Sequence, residues 1–147
     1  MNRVFAATWT SVALLISPGV FAQADQADAD AVVDAWAAAF NECSADKLTA
    51  LYDPAATLWG TGSPALASTP EGIRTYFTRA CAVLPPIKVS IGEHTTRVFG
   101  TSAASAGAYS FVQDGRTIPA RFSFALIKKD GKWAISQHHS SLMPGRP

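Results

Sequence analysis

The chain has 147 residues with 12 basic and 11 acidic side chains, so its formal net charge is only +1. Nucleic-acid binding needs a basic stripe, and the longest basic run is Lys128-Lys129, so the sequence argues against a nucleic-acid partner. Hydrophobic residues make up 48% of the chain, which is enough to build one core in a single domain.

Residues 1–24 are predicted to be a secretory signal peptide. Arg3 precedes an apolar stretch from Val4 to Ile16, and small residues follow the break at Ser17-Pro18-Gly19. The apolar stretch is too short for a membrane span with these flanks, although an uncleaved N-terminal anchor is the alternative. We therefore expect a periplasmic or secreted protein, free of the membrane after cleavage, in which residues 25–147 form one domain.

Three helices are predicted in the first half of this domain. The first runs from about Asp28 to Cys43, because apolar residues recur there at three- and four-residue steps. Ser44 is a candidate N-cap for a short second helix. Thr69 and Pro70 have the capping and first-turn chemistry of a third helix, which ends before Pro85.

Strands are predicted for the remainder of the domain. A short strand from Ala56 to Trp59 separates the second and third helices, and about four antiparallel strands follow from Ile87 onward. Helices followed by an antiparallel sheet are typical of the α+β class. The small side chains of Ala104, Ala106 and Ala108 predict a pocket between helix and sheet, unless the first helix simply packs closer.

The C-terminal hairpin predicts a candidate site. A two-residue turn at Asp130-Gly131 places Lys129 opposite Lys132, and counting outward places Phe122 opposite His139 and Phe124 opposite Gln137. The apolar face of the hairpin then ends in His139 and Gln137. His139 is a candidate general acid–base, or a structural histidine bonded to Tyr52 or a backbone carbonyl. Gln137 either orients a ligand or fills a cavity.

Three further residues are candidates for the same pocket. Arg121 lies on the outer face of the hairpin in the simple register, where it would make a dimer contact. A one-residue bulge would instead turn it inward to hold a carboxylate. Asp53 is either the acid nearest to the pocket mouth or a residue that only forms the turn before Pro54. Trp59 either walls the pocket or belongs to the core.

Cys43 and Cys81 are predicted to form a disulfide, since two cysteines of an exported protein are usually paired. The alternative is a pair of buried free thiols. The three histidines and two cysteines lack zinc-site spacing, and no phosphate loop or dinucleotide motif is present. We therefore expect neither a metal nor a cofactor.

Several segments resemble a known superfamily. The phrase Asp130-Gly131-Lys132-Trp133, followed by His139-x-Ser141, is similar to the association domain of calcium/calmodulin-dependent protein kinase II and its bacterial relatives. The order of elements resembles the nuclear transport factor 2-like (NTF2-like) fold, which ketosteroid isomerase and SnoaL-like cyclases share. This resemblance implies a cone-shaped, curved antiparallel sheet wrapped around the N-terminal helix, a pocket inside the cone, and a homodimer through the outer face of the sheet.

The resemblance also bears on the chemistry. Trp36, which with Tyr52 is predicted to contact the ligand, stands where ketosteroid isomerase has a tyrosine that donates to the oxyanion, and Gly60 stands where its carboxylate base would be. We therefore expect a domain that binds a small apolar molecule or serves as an accessory protein. The alternative is an isomerase, cyclase or hydratase that uses His139, and the second alternative is an oligomerisation module.

Overall fold

The structure is a computed structural model that describes residues 18–145, without the side chains of residues 18–22 and 24. Its elements are α1 (Pro18–Asn41), α2 (Ala45–Ala50), β1 (Tyr52–Trp59), α3 (Pro70–Cys81), β2 (Lys88–Phe99), β3 (Ser102–Gln113), β4 (Arg116–Lys129) and β5 (Lys132–Leu142). The predicted α+β class is confirmed. Residues 1–17, which hold most of the predicted signal peptide, lie outside the described part. Within that part, no helix has the length and apolar character that a membrane crossing requires.

The five strands form one open, mixed sheet in the order β1-β5-β4-β3-β2. Strands β2 to β5 pair antiparallel as predicted, and β1 joins the other edge parallel to β5. The turn between β4 and β5 is the predicted two-residue turn, since Lys129 pairs with Lys132 and both Asp130 and Gly131 have positive φ. The helices cover one face of this sheet, and that face carries the core.

Local chemistry explains where the helices end. α1 begins at Pro18 rather than near Asp28, and it ends in a Schellman motif. The Ser44 amide donates to the Ala39 carbonyl and the Cys43 amide to the Phe40 carbonyl, with Cys43 at φ 55°. The Ser44 side chain then caps α2, as the sequence predicts.

The predicted cap of α3 is confirmed as well. The Thr69 hydroxyl accepts a hydrogen bond from the Gly72 amide at 3.1 Å, and Pro70 occupies the start of the helix. β1 begins at Tyr52, four residues before the predicted start at Ala56. Pro54 therefore lies within an edge strand, where the missing backbone donor is tolerated.

A one-residue bulge in β5 overturns the predicted hairpin register. Leu126 pairs with Ile135, but Ala125 pairs with Gln137, so Ser136 is an extra residue in β5. The Ser136 hydroxyl donates to the Ala125 carbonyl oxygen at 3.0 Å and holds the bulge in place. Beyond this point each β5 side chain lies on the face opposite to that predicted.

The inner face beneath α1 is filled by aromatic side chains rather than left open. Five rings lie within 6.3 Å of the Trp36 ring, namely Phe40, Phe77, Tyr109, Phe124 and His138. Ala104 and Ala106, which predicted a pocket, are exposed on the outer face. The inner face of β3 carries Ala103, Ser105 and Tyr109 instead. The alanines that predicted a pocket at positions 104 and 106 therefore face away from α1.

The predicted disulfide is not formed. Cys43 and Cys81 are both free in the structure, and Cys43 Sγ lies 3.7 Å from the Cys81 carbonyl oxygen. Burial, together with the neighbouring Cys43 thiol, raises the pKa of Cys81 to about 12, so that this thiol stays protonated.

Phe77 joins α3 to the aromatic core, and its truncation tests this packing. Phe77 is fully buried and lies 6.3 Å from Trp36 and 5.8 Å from Tyr52, ring centre to ring centre. We expect Phe77→Ala to lower the free energy of unfolding by about 3–5 kcal/mol in urea denaturation. Phe99→Ala is the matched control, because Phe99 is 65% exposed, and it should change stability by less than about 0.5 kcal/mol. Equal losses in the two variants would contradict this core.

Candidate functional site

A hydrogen-bonded triad of side chains lies in the core between α1 and the sheet. Trp36 Nε1 donates to Tyr52 Oη at 3.1 Å, and Tyr52 Oη lies 2.7 Å from His138 Nδ1. An indole nitrogen can only donate, so the Tyr52 hydrogen points to His138 Nδ1. His138 is therefore the neutral tautomer with its proton on Nε2. That Nε2 is buried and has no hydrogen-bond partner among the described residues.

The surroundings of His138 keep it neutral. The imidazole stands edge-on to the rings of Phe124 and Trp36 at 4.6 and 5.3 Å and is only 2% exposed. This burial, with a smaller contribution from neighbouring His139, lowers the pKa of His138 to about 3. Burial likewise raises the pKa of Tyr52. The triad is thus uncharged at neutral pH, with the accepting nitrogen of His138 already occupied.

An open cavity of about 770 Å³ lies beyond the aromatic core, beside α3. The sheet contributes apolar side chains at the ends of four strands, and α3 contributes a second wall. The sheet side chains are Leu58, Phe111, Ile118 and Leu142; those of α3 and the turn after it are Tyr76, Ala80 and Val83. Glu71 and Arg79, both exposed, are the only formally charged residues of the lining. This volume lies within the range of sites for small molecules.

Hydroxyl groups mark one side of this cavity. Thr61 lines it, and the Thr61 hydroxyl is hydrogen-bonded to the Ser140 hydroxyl, which in turn is bonded to the Tyr109 hydroxyl. Burial raises the pKa of Tyr109 to about 12, so the phenol stays protonated. Ser140 follows His138 by two residues on the inner face of β5, so the hydroxyl chain lies between the triad and the cavity.

The loop that carries Thr61 is held in place by its own backbone. Leu58 and Ala67 exchange two backbone hydrogen bonds at 2.8 and 2.9 Å, which close the loop between them. Gly60 begins this loop, and a Cβ there would lie 2.1 Å from Tyr76 Cζ and 2.3 Å from its hydroxyl oxygen. The Tyr76 hydroxyl therefore rests against the Gly60 backbone, one residue before Thr61. Only glycine allows this approach.

Four of the predicted site residues lie on the outer face, away from this cavity. His139 and Gln137 are exposed, because the Ser136 bulge reverses the facing of β5. The prediction that His139 ends the core face is therefore wrong. Trp59 is 48% exposed and pairs with His139, so it does not wall the cavity. Arg121 is also exposed, and its Nε donates to Ser141 Oγ at 3.1 Å.

Asp53 is buried, but at the other end of β1. Its carboxylate is paired with Lys129 Nζ at 2.5 Å and accepts from the Ala55 amide at 3.0 Å. The hydrogen bond from Lys129 lowers the pKa of Asp53 and keeps it ionised. Leu58 of the cavity is five residues further along the strand, which is about 16 Å. Of the residues predicted for the site, only Trp36 and Tyr52 face the interior.

Sequence reasoning missed the residues that line the cavity and the buried histidine. Gly60-Thr61-Gly62-Ser63-Pro64 has the composition of a loop and no pattern of a site. In α3, Tyr76 is a large aromatic residue next to the buried Phe77. This was the feature of the sequence that could have indicated a role for it. A register without a bulge puts His139 on the apolar face and therefore its neighbour His138 on the opposite one.

These features define the chain as a cone-shaped protein of the NTF2-like fold with a cavity at the open end of its sheet. A family model of the SnoaL-like domain matches residues 29–145. The chain therefore belongs to the SnoaL-like family, whose fold commonly binds small molecules or acts as an isomerase or dehydratase. A comparison with curated proteins gave no match.

Solved structures agree with this assignment. A protein from Xanthomonas campestris, named for the calcium/calmodulin-dependent protein kinase II association domain, is 30% identical with a TM-score of 0.70, and the match covers 97% of this chain and 100% of that one. An NTF2-like protein with a cystatin-like fold from Novosphingobium aromaticivorans is 14% identical, with a TM-score of 0.75 over 87% of this chain and 88% of that one. An NTF2-like protein from Streptomyces avermitilis, named as a candidate dehydratase, is 14% identical, with a TM-score of 0.75 over 84% and 99%.

Burial of neutral His138 makes the stability of the protein depend on pH. Above pH 6.5 the imidazole is neutral in both the folded and the unfolded chain, so it adds no pH dependence. Between pH 6.5 and 3 only the unfolded chain binds the proton, so the free energy of unfolding falls by about 1.4 kcal/mol per pH unit. We expect His138→Gln to lose this slope in urea denaturation at several pH values. His139→Gln is the control and should keep the slope, because it leaves His138 in place; a shared slope in all three proteins would refute the argument.

Proposed function

We propose that this chain is an exported protein that binds a small, largely apolar molecule in the cavity beside α3. The observation that carries the proposal is the cavity itself, about 770 Å³ with apolar walls on both the sheet and the helix. Burying an apolar ligand there gains about 25 cal/mol for each Å² removed from water. Export is proposed from the residues of the N-terminal segment alone.

The exposed apolar side chains at the mouth support the same proposal. Leu66, Val83, Ile118 and Leu142 all line the cavity, and each is more than a third exposed. Large side chains of this kind grouped around one opening are typical of a ligand site. A bound apolar molecule would cover them.

Binding is a better match to these residues than acid–base catalysis. An isomerase or dehydratase needs a group that takes or gives a proton near neutral pH. His138 has its acceptor nitrogen bonded to Tyr52, and its pKa is near 3. Glu71 and Arg79, the charged residues of the cavity lining, are both exposed to solvent. We therefore favour a binding or accessory role over the catalytic alternatives.

A cavity-filling variant tests the binding proposal. Ala80 lines the cavity and is half-buried, so Ala80→Trp should occupy part of the space with an indole. We expect the neutral fluorescent probe N-phenyl-1-naphthylamine to bind the wild-type protein with enhanced emission, and its affinity to fall at least about tenfold in Ala80→Trp. Ala82→Trp, two residues away at an exposed position, is the control and should bind as the wild type does. No binding by the wild type, or equal binding by all three, would refute the proposal.

The proposal includes a homodimer through the outer face of the sheet. Exposed Ala104 and Ala106 leave the β3 part of this face without bulky side chains at these positions. Between the turns, Arg121 is the one formal charge on the outer face of β3, β4 and β5. A patch of small, uncharged side chains on β3 allows two copies to approach closely there, as a stable interface of about 800 Å² per partner requires.

A charge at the centre of this face tests the dimer. Ala106 pairs with Ser123, which pairs with His139, so it lies in the middle of the outer face. We expect light scattering after size exclusion to give twice the chain mass for the wild type and the single-chain mass for Ala106→Glu, because two like charges would meet at the interface. Thr78→Glu, on the exposed side of α3, is the control and should remain dimeric. A monomeric wild type, or a dimeric Ala106→Glu, would contradict this interface.

A further inference from the structure

We propose that the mouth of the cavity docks on the surface of a zwitterionic lipid bilayer through a ring of exposed apolar side chains. Six residues form this apolar rim, namely Leu66, Val83, Leu84, Ile118, Leu142 and Met143. The inference goes beyond the proposed function, because it concerns a surface that the protein binds rather than the molecule in its cavity. It departs from the expectation of a protein free of the membrane, which rested on the lack of a spanning segment after residue 24. Peripheral docking needs no such segment.

Exposed hydrophobic side chains are concentrated at this mouth. Eight large hydrophobic residues of the described chain are more than a third exposed, and six of them form the apolar rim. Four members of the rim line the cavity itself. The two exposed residues outside the rim are Trp59, beside His139 on the outer face, and Phe99, at the far end of β2. A grouping of this kind marks a surface that binds a partner or a membrane.

Leu84 and Met143 belong to the rim without lining the cavity. Each adjoins a cavity-lining residue in the chain. The turn that carries Leu84 is held beside the mouth by a hydrogen bond from the Gln113 side chain to the Pro85 carbonyl oxygen at 2.8 Å. The Met143 amide donates to the Pro119 carbonyl oxygen at 3.0 Å. Leu84 is 82% exposed, and a molecule inside the cavity would leave it in water. The rim therefore calls for a partner larger than the ligand.

The shape of the rim fits a fluid surface better than a second protein. Its members come from four separate segments, which are the loop after β1, the turn after α3, the start of β4 and the end of β5. They surround the mouth of a cavity of about 770 Å³ rather than forming a continuous face. A protein interface depends on close packing, and a rigid partner laid across the mouth would leave a void beneath it. Lipid molecules can adapt their shape to the opening.

The charges beside the rim favour a bilayer without net charge. The cavity lining carries Glu71 and Arg79, and the turn between β3 and β4 is flanked by Asp114 and Arg116, so acidic and basic residues are equal in number there. Attraction to anionic lipids needs a cluster of lysines and arginines. We therefore expect the rim to bind zwitterionic lipid, with little effect of salt on the affinity.

Docking in this orientation places the cavity against the bilayer. An apolar molecule leaves water for lipid through the same hydrophobic effect that fills the cavity, so the bilayer is where such a molecule is concentrated. A cavity that opens directly onto the bilayer lets the molecule pass between lipid and protein without crossing water.

Sedimentation with sucrose-loaded phosphatidylcholine vesicles tests the docking. The protein used begins at Asp25, so that the apolar stretch near the N-terminus contributes nothing, and it contains the whole segment that the family model matches. We expect this protein to sediment with the vesicles. Leu84→Glu and Met143→Glu should each lower the partition coefficient at least about tenfold, because a charge replaces a side chain that enters the lipid. Phe99→Glu is the matched control: Phe99 is 65% exposed but lies at the other end of the sheet, so this variant should bind as the unchanged protein does.

Titration of the same proteins with N-phenyl-1-naphthylamine, without vesicles, separates docking from ligand binding. Leu84 and Met143 do not line the cavity, so both rim variants should keep the probe affinity of the unchanged protein. Vesicle binding without probe binding would refute the proposed function and leave the docking standing.

Three results would overturn the docking and leave the ligand site intact. The first is failure of the unchanged protein to sediment, or equal sedimentation of all the variants. The second is sedimentation only with vesicles that contain phosphatidylglycerol, since charge rather than the rim would then bind the lipid. The third is a four-chain mass in light scattering that Leu84→Glu reduces to two chains, since a second copy would then cover the rim.

Discussion

The hydrogen bond from the Ser136 hydroxyl to the Ala125 carbonyl holds an extra residue in β5, and the arrangement of the interior depends on it. Side chains alternate along a strand, so one inserted residue exchanges the two faces beyond it. With the bulge, His138 and Ser140 face inward, where one meets Tyr52 and the other meets Tyr109. Without it, Gln137 and His139 would stand there, and neither hydrogen-bonded group would form.

The bulge also explains how a polar strand end is compatible with an aromatic core. Every polar group that it turns inward is neutral, and most of them are bonded to one another. Tyr52 satisfies one nitrogen of His138, and the hydroxyls of Tyr109 and Thr61 satisfy Ser140. A neutral, internally hydrogen-bonded network avoids the free-energy cost of burying a charge. That cost is larger than the free energy gained by packing one apolar side chain. His138 Nε2 is the exception among the described side chains of this network.

The sequence predicted well where local chemistry decides the structure. The caps at Ser44 and Thr69 and the turn at Asp130-Gly131 depend on residues next to one another, and all three agree with the structure. The bulge was not predictable, because a serine within a strand does not distinguish a bulged strand from a regular one. The position of the cavity was also missed. It depends on how α3 and the loop after β1 pack over the strand ends, and these contacts join residues that are far apart in the sequence.

The cavity lies where it does because α1 is shorter than the sheet face it covers. Trp36 and Phe40 fill the space under the helix, and α1 then ends at Asn41, whose side chain exchanges two hydrogen bonds with the Val89 backbone at the sheet edge. Beyond that point α3 must cover the strand ends. It faces Leu58 and Phe111 across the cavity, and the Tyr76 ring rests on Gly60 in the loop after β1. The contact between Tyr76 and Gly60 therefore bounds the opening and also brings a phenol to its wall.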